Sequence, residues 1–257
     1  GNFDGVHIGH QKLFKLAKKY KKKFKLKIGV VTFEPMPKMY FNKKLKNFRI
    51  SNLNQKKLLI QKLGADFIIT KKFDKNFSKI KYFSFIRNIL YKKIQPKFIF
   101  VSNNFKFGNK REGDVTKLIK SEKNFCYKII KPKPFISKNK IVSSTFIRKL
   151  LSKGNLSFAN KLLRRNWSIE SVVQKGRQVG KKIGFPTCNL DIKNYVIPRL
   201  GVYAVKIRRK NTNKILKGIA NLGYRPTFNQ KKILLEVHIF NFSSNLYNKV
   251  LTIDFIN

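Results

Sequence analysis

Gly1-Asn2-Phe3-Asp4-Gly5-Val6-His7-Ile8-Gly9-His10 is the stretch whose reading decides the fold. Two of the three histidines in the 257 residues sit here, three apart; the third is His238. Gly1, Gly5 and Gly9 recur every four residues, so the backbone is free to turn sharply and approach a ligand closely. Leu13, Leu16, Ala17 and Tyr20 follow at helical spacing. A glycine-rich turn thus feeds a helix with both imidazoles at its start. Helix N-termini present free N–H groups and a positive dipole end, which suits phosphate. Two imidazoles there can donate to phosphate oxygens as charge develops on them. The competing reading is a plain turn with two surface histidines.

Composition bounds the rest. The length allows one large domain or two modest ones, each with a real core. No apolar run approaches the roughly 18 residues of a membrane span, so no membrane partner is expected. The chain starts without Met inside a motif and stops inside a strand-like run at residues 250–255, which reads as a piece trimmed at both ends. The net charge of +48 would ordinarily suggest nucleic acid. Yet the lysines are spread throughout, and only 11 of the 59 basic residues are arginine, the side chain suited to bidentate base and phosphate recognition. Salt-sensitive sticking to polyanions is expected, but no specific nucleic-acid partner. Cys126 and Cys188 show neither metal-ligand spacing nor a disulfide framework, which favours the cytoplasm.

The first half alternates strand-like runs at residues 27–33 (KIGVVTF), 66–70 (DFIIT), 97–101 (KFIFV) and 126–130 (CYKII) with helical stretches. In one of these, Ile80, Phe83, Ile86, Leu90 and Ile94 form the apolar stripe. That alternation predicts a parallel sheet covered by helices, with nucleotide bound at the carboxyl ends of its strands. Ser143-Ser144-Thr145 is an N-capping run with Arg148 one turn on, a second anion site. Residues 156–163 form a short helix. From Ser168 onward no helix is expected. Residues 201–208, 215–221, 232–242 and 250–255 read as strands of a small β-barrel or sandwich. The boundary falls near Arg165, giving domains 1–165 and 166–257. Thr187 and Asn189 offer oxygens two residues apart, which suits Mg²⁺ held largely by water and substrate phosphate.

The string GNFDGVHIGHQ resembles the opening of the bacterial bifunctional riboflavin kinase/FMN adenylyltransferases, or FAD synthetases. The resemblance continues in order along the chain. Residues 32–37 resemble a TFEPHP loop with Met36 in place of His, and residues 101–114 a VGxDFxFGxxRxGD segment. SSTFIR at 143–148 is similar to that family's second ATP-phosphate motif. GKKIGFPTCN at 180–189 resembles the kinase motif GRxLGFPTAN, NLGYRPT at 221–227 resembles NIGxRPT, and EVH at 236–238 matches a kinase strand. HxGH also spells the class I aminoacyl-tRNA synthetase signature, but KMSKS and room for an anticodon domain are both missing.

The resemblance implies a nucleotidylyltransferase-type α/β domain followed by a riboflavin-kinase β-barrel. Riboflavin would be phosphorylated by ATP to FMN, and FMN adenylylated to FAD. The substrates and products are therefore ATP and the flavins, with Mg²⁺ at each site and no obligate protein partner. Catalysis would fall to His7, His10 and Glu236. ATP phosphates would be bound by Gly1, Asn2, Phe3, Asp4, Gly9, Ser143, Ser144, Thr145 and Arg148, and in the kinase by Gly180, Lys181 and Gly184. Asn104, Gly108, Asp114 and Arg225 would hold flavin. Two alternatives stay open: an adenylyltransferase whose kinase half has decayed, given the worn linker at 163–167 and Asn248 in an LYGK-like site, and a charge-driven nucleic-acid binder.

Overall fold

A computed structural model describes residues 1–175, 186–210, 212, 214–225 and 232–256. The chain forms two compact units, each drawn from more than one stretch of sequence. One comprises Gly1–Phe3, Gly9–Lys44 and Leu59–Ile141, the other Asp4–Ile8, Leu45–Leu58 and Val142–Asn257.

The first unit is α/β. Helix α1 (Ile8–Phe24) is followed by β1 (Gly29–Glu34), α2 (Pro37–Phe41), α3 (Leu53–Lys62), whose residues up to Leu58 belong to the second unit, and β2 (Phe67–Lys72). Then come α4 (Lys75–Ser78), α5 (Tyr82–Ser84), a π-helix (Phe85–Ile94), β3 (Phe98–Phe100), β4 (Lys106–Phe107) and β5 (Gly113–Asp114). Helix α6 (Val115–Lys120), β6 (Lys128–Ile130), β7 (Ile136–Ser137) and β8 (Lys140–Ile141) complete it. Strands β1 and β2 pair in parallel, as do β3 and β6. The expected parallel α/β arrangement is present, as two parallel pairs. Helix α1 turns Phe14 and Ala17 inward.

Two expectations change in this unit. A sheet covered by helices would bury the run at 66–70, yet Phe67 and Ile69 of β2 are 44% and 38% exposed. Among the described residues its only strand neighbour is β1, so it is an edge strand. The stripe from Ile80 to Ile94 does not lie on one α-helix. After the single turn of α5 the chain winds as a π-helix, whose i→i+5 bonds change the angular spacing. Phe85, Ile86 and Leu90 therefore face the core with Val101, Leu118 and Tyr127, while Phe83 stays exposed.

The second unit carries α7 (Ser144–Ser152) and α8 (Leu156–Leu163). Among the described residues six strands follow: β9 (Trp167–Gln174), β10 (Thr187–Leu190), β11 (Gly201–Arg209), β12 (Ile215–Arg225), β13 (Lys232–Ile239) and β14 (Val250–Phe255). They close an antiparallel barrel in the order β10-β13-β12-β11-β14-β9. Closure pairs every strand on both sides and leaves no edge. Alternate residues such as Val205, Ile207, Leu235 and Val237 fill its interior. Strands β9 and β10 were not anticipated, because Ser168, Glu170 and Ser171 interrupt the apolar pattern of β9 and β10 is only four residues long.

Candidate active sites

The turn before α1 is held in an unusual backbone conformation. Phe3, Gly5 and Val6 take φ of 48°, 76° and 42°. At Gly5 a side chain is excluded twice over: φ is left-handed, and a Cβ would come within 2.8 Å of Ile50. Val6 is β-branched and fully buried, so its positive φ is an outlier. Such strain costs roughly 1–3 kcal/mol and persists only where the surroundings enforce it.

The enforcing contacts all lie in the second unit. The buried Asp4 carboxylate accepts from the Ile50 and Ser51 backbone N–H groups at 3.0 and 3.1 Å and from Arg148 Nη2 at 2.6 Å. Ser144 Oγ donates to the Asp4 carbonyl at 2.8 Å, and Arg165 Nη2 donates to the Gly5 carbonyl at 2.8 Å. Arg148 also donates through Nε to the Phe48 carbonyl at 2.7 Å and lies over the Phe48 ring. Asp4, Ser144 and Arg148, read from sequence as phosphate ligands, thus build the turn. The Asp4 carboxylate, with both oxygens accepting hydrogen bonds, positions its neighbours in the turn. Ser143 Oγ caps α7 by accepting from the Phe146 N–H at 3.2 Å. Thr145, exposed in the first turn of α7, and exposed Asn2 face solvent.

His7 follows the strained turn and is 6% exposed. Burial first, and then the charges of Arg148 and Arg165, lower its pKa from 6.5 to about 4. At neutral pH it is an uncharged imidazole with one N–H to donate. Burial also pulls Arg165 down to about 10, partly offset by Asp4 and Asp254, so the guanidinium remains charged. In the first unit, His10 is half-buried in the first turn of α1 with its ring beside Phe3, centroids 5.0 Å apart. Gly9 is the second residue of that helix.

The expected flavin residues of the first unit have local structural duties. Gly108 has φ of 76°, and a Cβ there would meet the Tyr82 backbone N at 2.8 Å. Asp114 caps α6 through the Lys117 N–H at 3.0 Å and pairs with Lys106 at 3.2 Å, which lowers its pKa. Asn104 Oδ1 accepts from Ser102 Oγ at 2.8 Å. Met36 is buried at the N-cap of α2.

On the outer face of the barrel, Asn189 of β10 lies opposite Glu236 of β13, which lies opposite Asn221 of β12; Thr187 lies opposite His238. His238 Nδ1 is 2.9 Å from the Pro186 carbonyl, so that nitrogen carries the proton. The four acids of this half differ in employment. Glu170 accepts from Asn52 Nδ2 at 3.1 Å, and Asp191 accepts from the Lys193 N–H at 2.9 Å. Asp254 holds Arg208 in a fork at 2.7 and 2.8 Å. Among the described residues, half-buried Glu236 has no such partner. Asn189 Oδ1 is buried without a hydrogen bond among the described residues, an oxygen suited to a hard cation. The Arg225 backbone ends β12. The Arg225 side chain, Gly180, Lys181 and Gly184 lie outside the described residues.

The FAD synthetase family model matches residues 1–146, and the riboflavin kinase model matches residues 163–257. A bifunctional riboflavin kinase/FMN adenylyltransferase of Buchnera aphidicola subsp. Schizaphis graminum is 40% identical over 256 residues, 98% of this chain and 82% of the relative. The chain belongs to the bifunctional riboflavin kinase/FMN adenylyltransferase family. Family members from Haemophilus influenzae (37%, covering 99% of this chain and 82% of the relative) and Escherichia coli strain K12 (34%, 97% and 79%) agree. A solved structure described as a macrolide-efflux protein from Streptococcus pneumoniae superposes with a TM-score of 0.87 at 27% identity, over 100% of this chain and 83% of that one. Among the described residues of this family member, no helix is long and apolar enough to cross a membrane.

Sequence reasoning missed the supports of the turn. Arg165 lies in the worn linker at 163–167, and the 45–58 segment carries no motif. The one tryptophan was a signal left unused: Trp167 Nε1 donates to the Ile50 carbonyl at 2.9 Å, just behind Asp4.

Proposed function

We propose that this chain makes FMN and then FAD from riboflavin and two ATP molecules. The observation that carries this is the presence of both family domains in one chain, at residues 1–146 and 163–257. In the kinase step the terminal ribityl hydroxyl of riboflavin attacks the γ-phosphorus of ATP. Its O–H proton passes to Glu236, the bond from the γ-phosphorus to the bridging oxygen breaks, and ADP leaves. The Glu236 carboxylate lies opposite Asn189 with no hydrogen-bond partner among the described residues, which supports Glu236 as base. Thr187 and Asn189 would hold Mg²⁺, which when bound neutralises phosphate charge. In the adenylyl step a phosphate oxygen of FMN attacks the α-phosphorus of a second ATP and pyrophosphate leaves. His7, as a neutral donor, and His10 steady the charge on the phosphate oxygens. Thr145 and the N-terminus of α7 suit a second phosphate contact. Positioning and charge neutralisation carry both steps.

We place the adenylyltransferase domain at 1–165 and the kinase domain at 166–257; the matches at 1–146 and 163–257 support a division near there, with the kinase match reaching back to 163. A cytoplasmic setting suits the free thiols of Cys126 and Cys188. Neither a specific nucleic acid nor an obligate protein partner is needed for this chemistry. The test mixes protein, riboflavin, ATP and Mg²⁺ and separates flavins by chromatography. FMN and FAD are both expected; FAD only from supplied FMN would indicate a decayed kinase. Changing His7 and His10 together to Ala is expected to abolish FAD while FMN still accumulates. An equal loss of both products in a folded double variant would overturn the assignment of two sites.

A further inference from the structure

Arg165 lies inside the stretch matched by the riboflavin kinase model, residues 163–257. Its guanidinium nevertheless reaches back to the signature turn of the FAD synthetase stretch, donating through Nη2 to the Gly5 carbonyl at 2.8 Å and through Nη1 to the Leu163 carbonyl at 3.2 Å. The Gly5 carbonyl belongs to the peptide that leads into Val6, the strained residue just before His7. Fixing that carbonyl fixes where the chain enters His7. Arg148 braces the same turn at the Asp4 carboxylate, 2.6 Å away. Strand β9 supports it from behind: Trp167 Nε1 donates to the Ile50 carbonyl, and Gln55 Nε2 to the Ser168 carbonyl at 3.1 Å.

We propose that Arg165 is a positioning residue for FMN adenylylation: a side chain of the kinase-matched stretch that clamps the Gly5 carbonyl and thereby aims His7. This rests on the adenylyltransferase role assigned above to His7. Two properties follow from the geometry. The clamp is double, because one planar fork bonds two carbonyls, and lysine cannot reproduce that. It is also a buried positive charge beside His7, the third contributor to the lowered His7 pKa.

The experiment uses the full chain with Arg165→Gln, and Arg165→Lys as the second variant. Three quantities are read: FAD formation from FMN, FMN formation from riboflavin, and the titration of the three histidines by proton NMR. Expected for Arg165→Gln are a fall of about tenfold or more in kcat for FAD, riboflavin phosphorylation within twofold of wild type, and an upward move of the His7 titration. Arg165→Lys keeps the charge and loses the fork, so its FAD rate falls while His7 titrates near its wild-type position. FAD formation within twofold of wild type and an unmoved His7 in Arg165→Gln would overturn the proposal. So would a parallel fall in both activities, or failure of both variants to fold, since either makes Arg165 a general folding residue. If the wild-type chain makes no FAD, it is the functional assignment of His7 that fails, and the NMR titration still reports whether Arg165 controls that imidazole.

Discussion

At the scale of single residues, Glu236 and His7 show how environment assigns chemistry. A carboxylate in the middle of a strand loses hydration and is expected to be paired. Glu170, Asp191 and Asp254 are engaged, and Glu236 is left opposite Asn189. Glu236→Gln keeps the shape and removes the proposed base, so riboflavin phosphorylation is expected to fall roughly 10²-fold or more while FMN adenylylation persists. Asp191→Asn, which only loosens a turn, is the control. Should that control lose the kinase rate and Glu236→Gln keep it, the base is Asp191. His7 makes a prediction about stability. Its folded pKa of about 4 lies below the ordinary 6.5. A depressed pKa contributes stability that is present above 6.5 and lost as pH falls toward 4, because the unfolded chain takes up the proton first. The size is about 3 kcal/mol. Urea unfolding between those pH values is therefore expected to show a shallower loss for His7→Asn than for wild type. Equal slopes for the two proteins would mean that His7 is not buried neutral.

At the scale of elements, the signature turn depends on the left-handed backbone of Gly5. Gly5→Ala places a Cβ against Ile50 at a left-handed φ, and is expected to destabilise the chain by roughly 1–3 kcal/mol. Denaturant midpoints measure this, and a variant as stable as wild type would show that the turn has relaxed to another conformation. The turn, α1, the capped start of α7 and four of the six barrel strands were legible in sequence, because each rests on local signals: glycine spacing, a Ser-Ser-Thr cap, alternating apolar residues. The π-helix was not legible. Its stripe at Ile86, Leu90 and Ile94 fits an α period as well, and the i→i+5 bonds are chosen by packing on Val101 and Leu118. Nor were the supports of the turn, since Arg165 and Ile50 are 160 and 45 residues from Gly5 in sequence, and no local rule connects them. Motif spacing marked Asp4 and Arg148 as important, but only the fold shows that they bond each other.

At the scale of the whole molecule, the net charge of +48 asks whether this enzyme also recognises nucleic acid. Recognition of sequence needs base contacts, and phosphate contacts alone carry none. The side chain best fitted to base edges is arginine, and here arginines are spent within the fold: Arg148 on Asp4, Arg165 on Gly5, Arg208 on Asp254. The charge is mostly lysine spread along the chain, a diffuse attraction for phosphate that releases counterions on binding. Two duplexes of equal length and different sequence are therefore expected to bind with equal affinity, measured by anisotropy of a labelled strand. The affinity of both should fall steeply and in parallel as salt rises, linearly in log K against log salt concentration. Flavin turnover should be unchanged by the presence of either duplex at physiological salt, because the side chains proposed to catalyse, His7, His10 and Glu236, are not the surface lysines. A duplex preference that survives physiological salt, or inhibition of FAD formation by one sequence alone, would mean that the lysines form a reading surface after all.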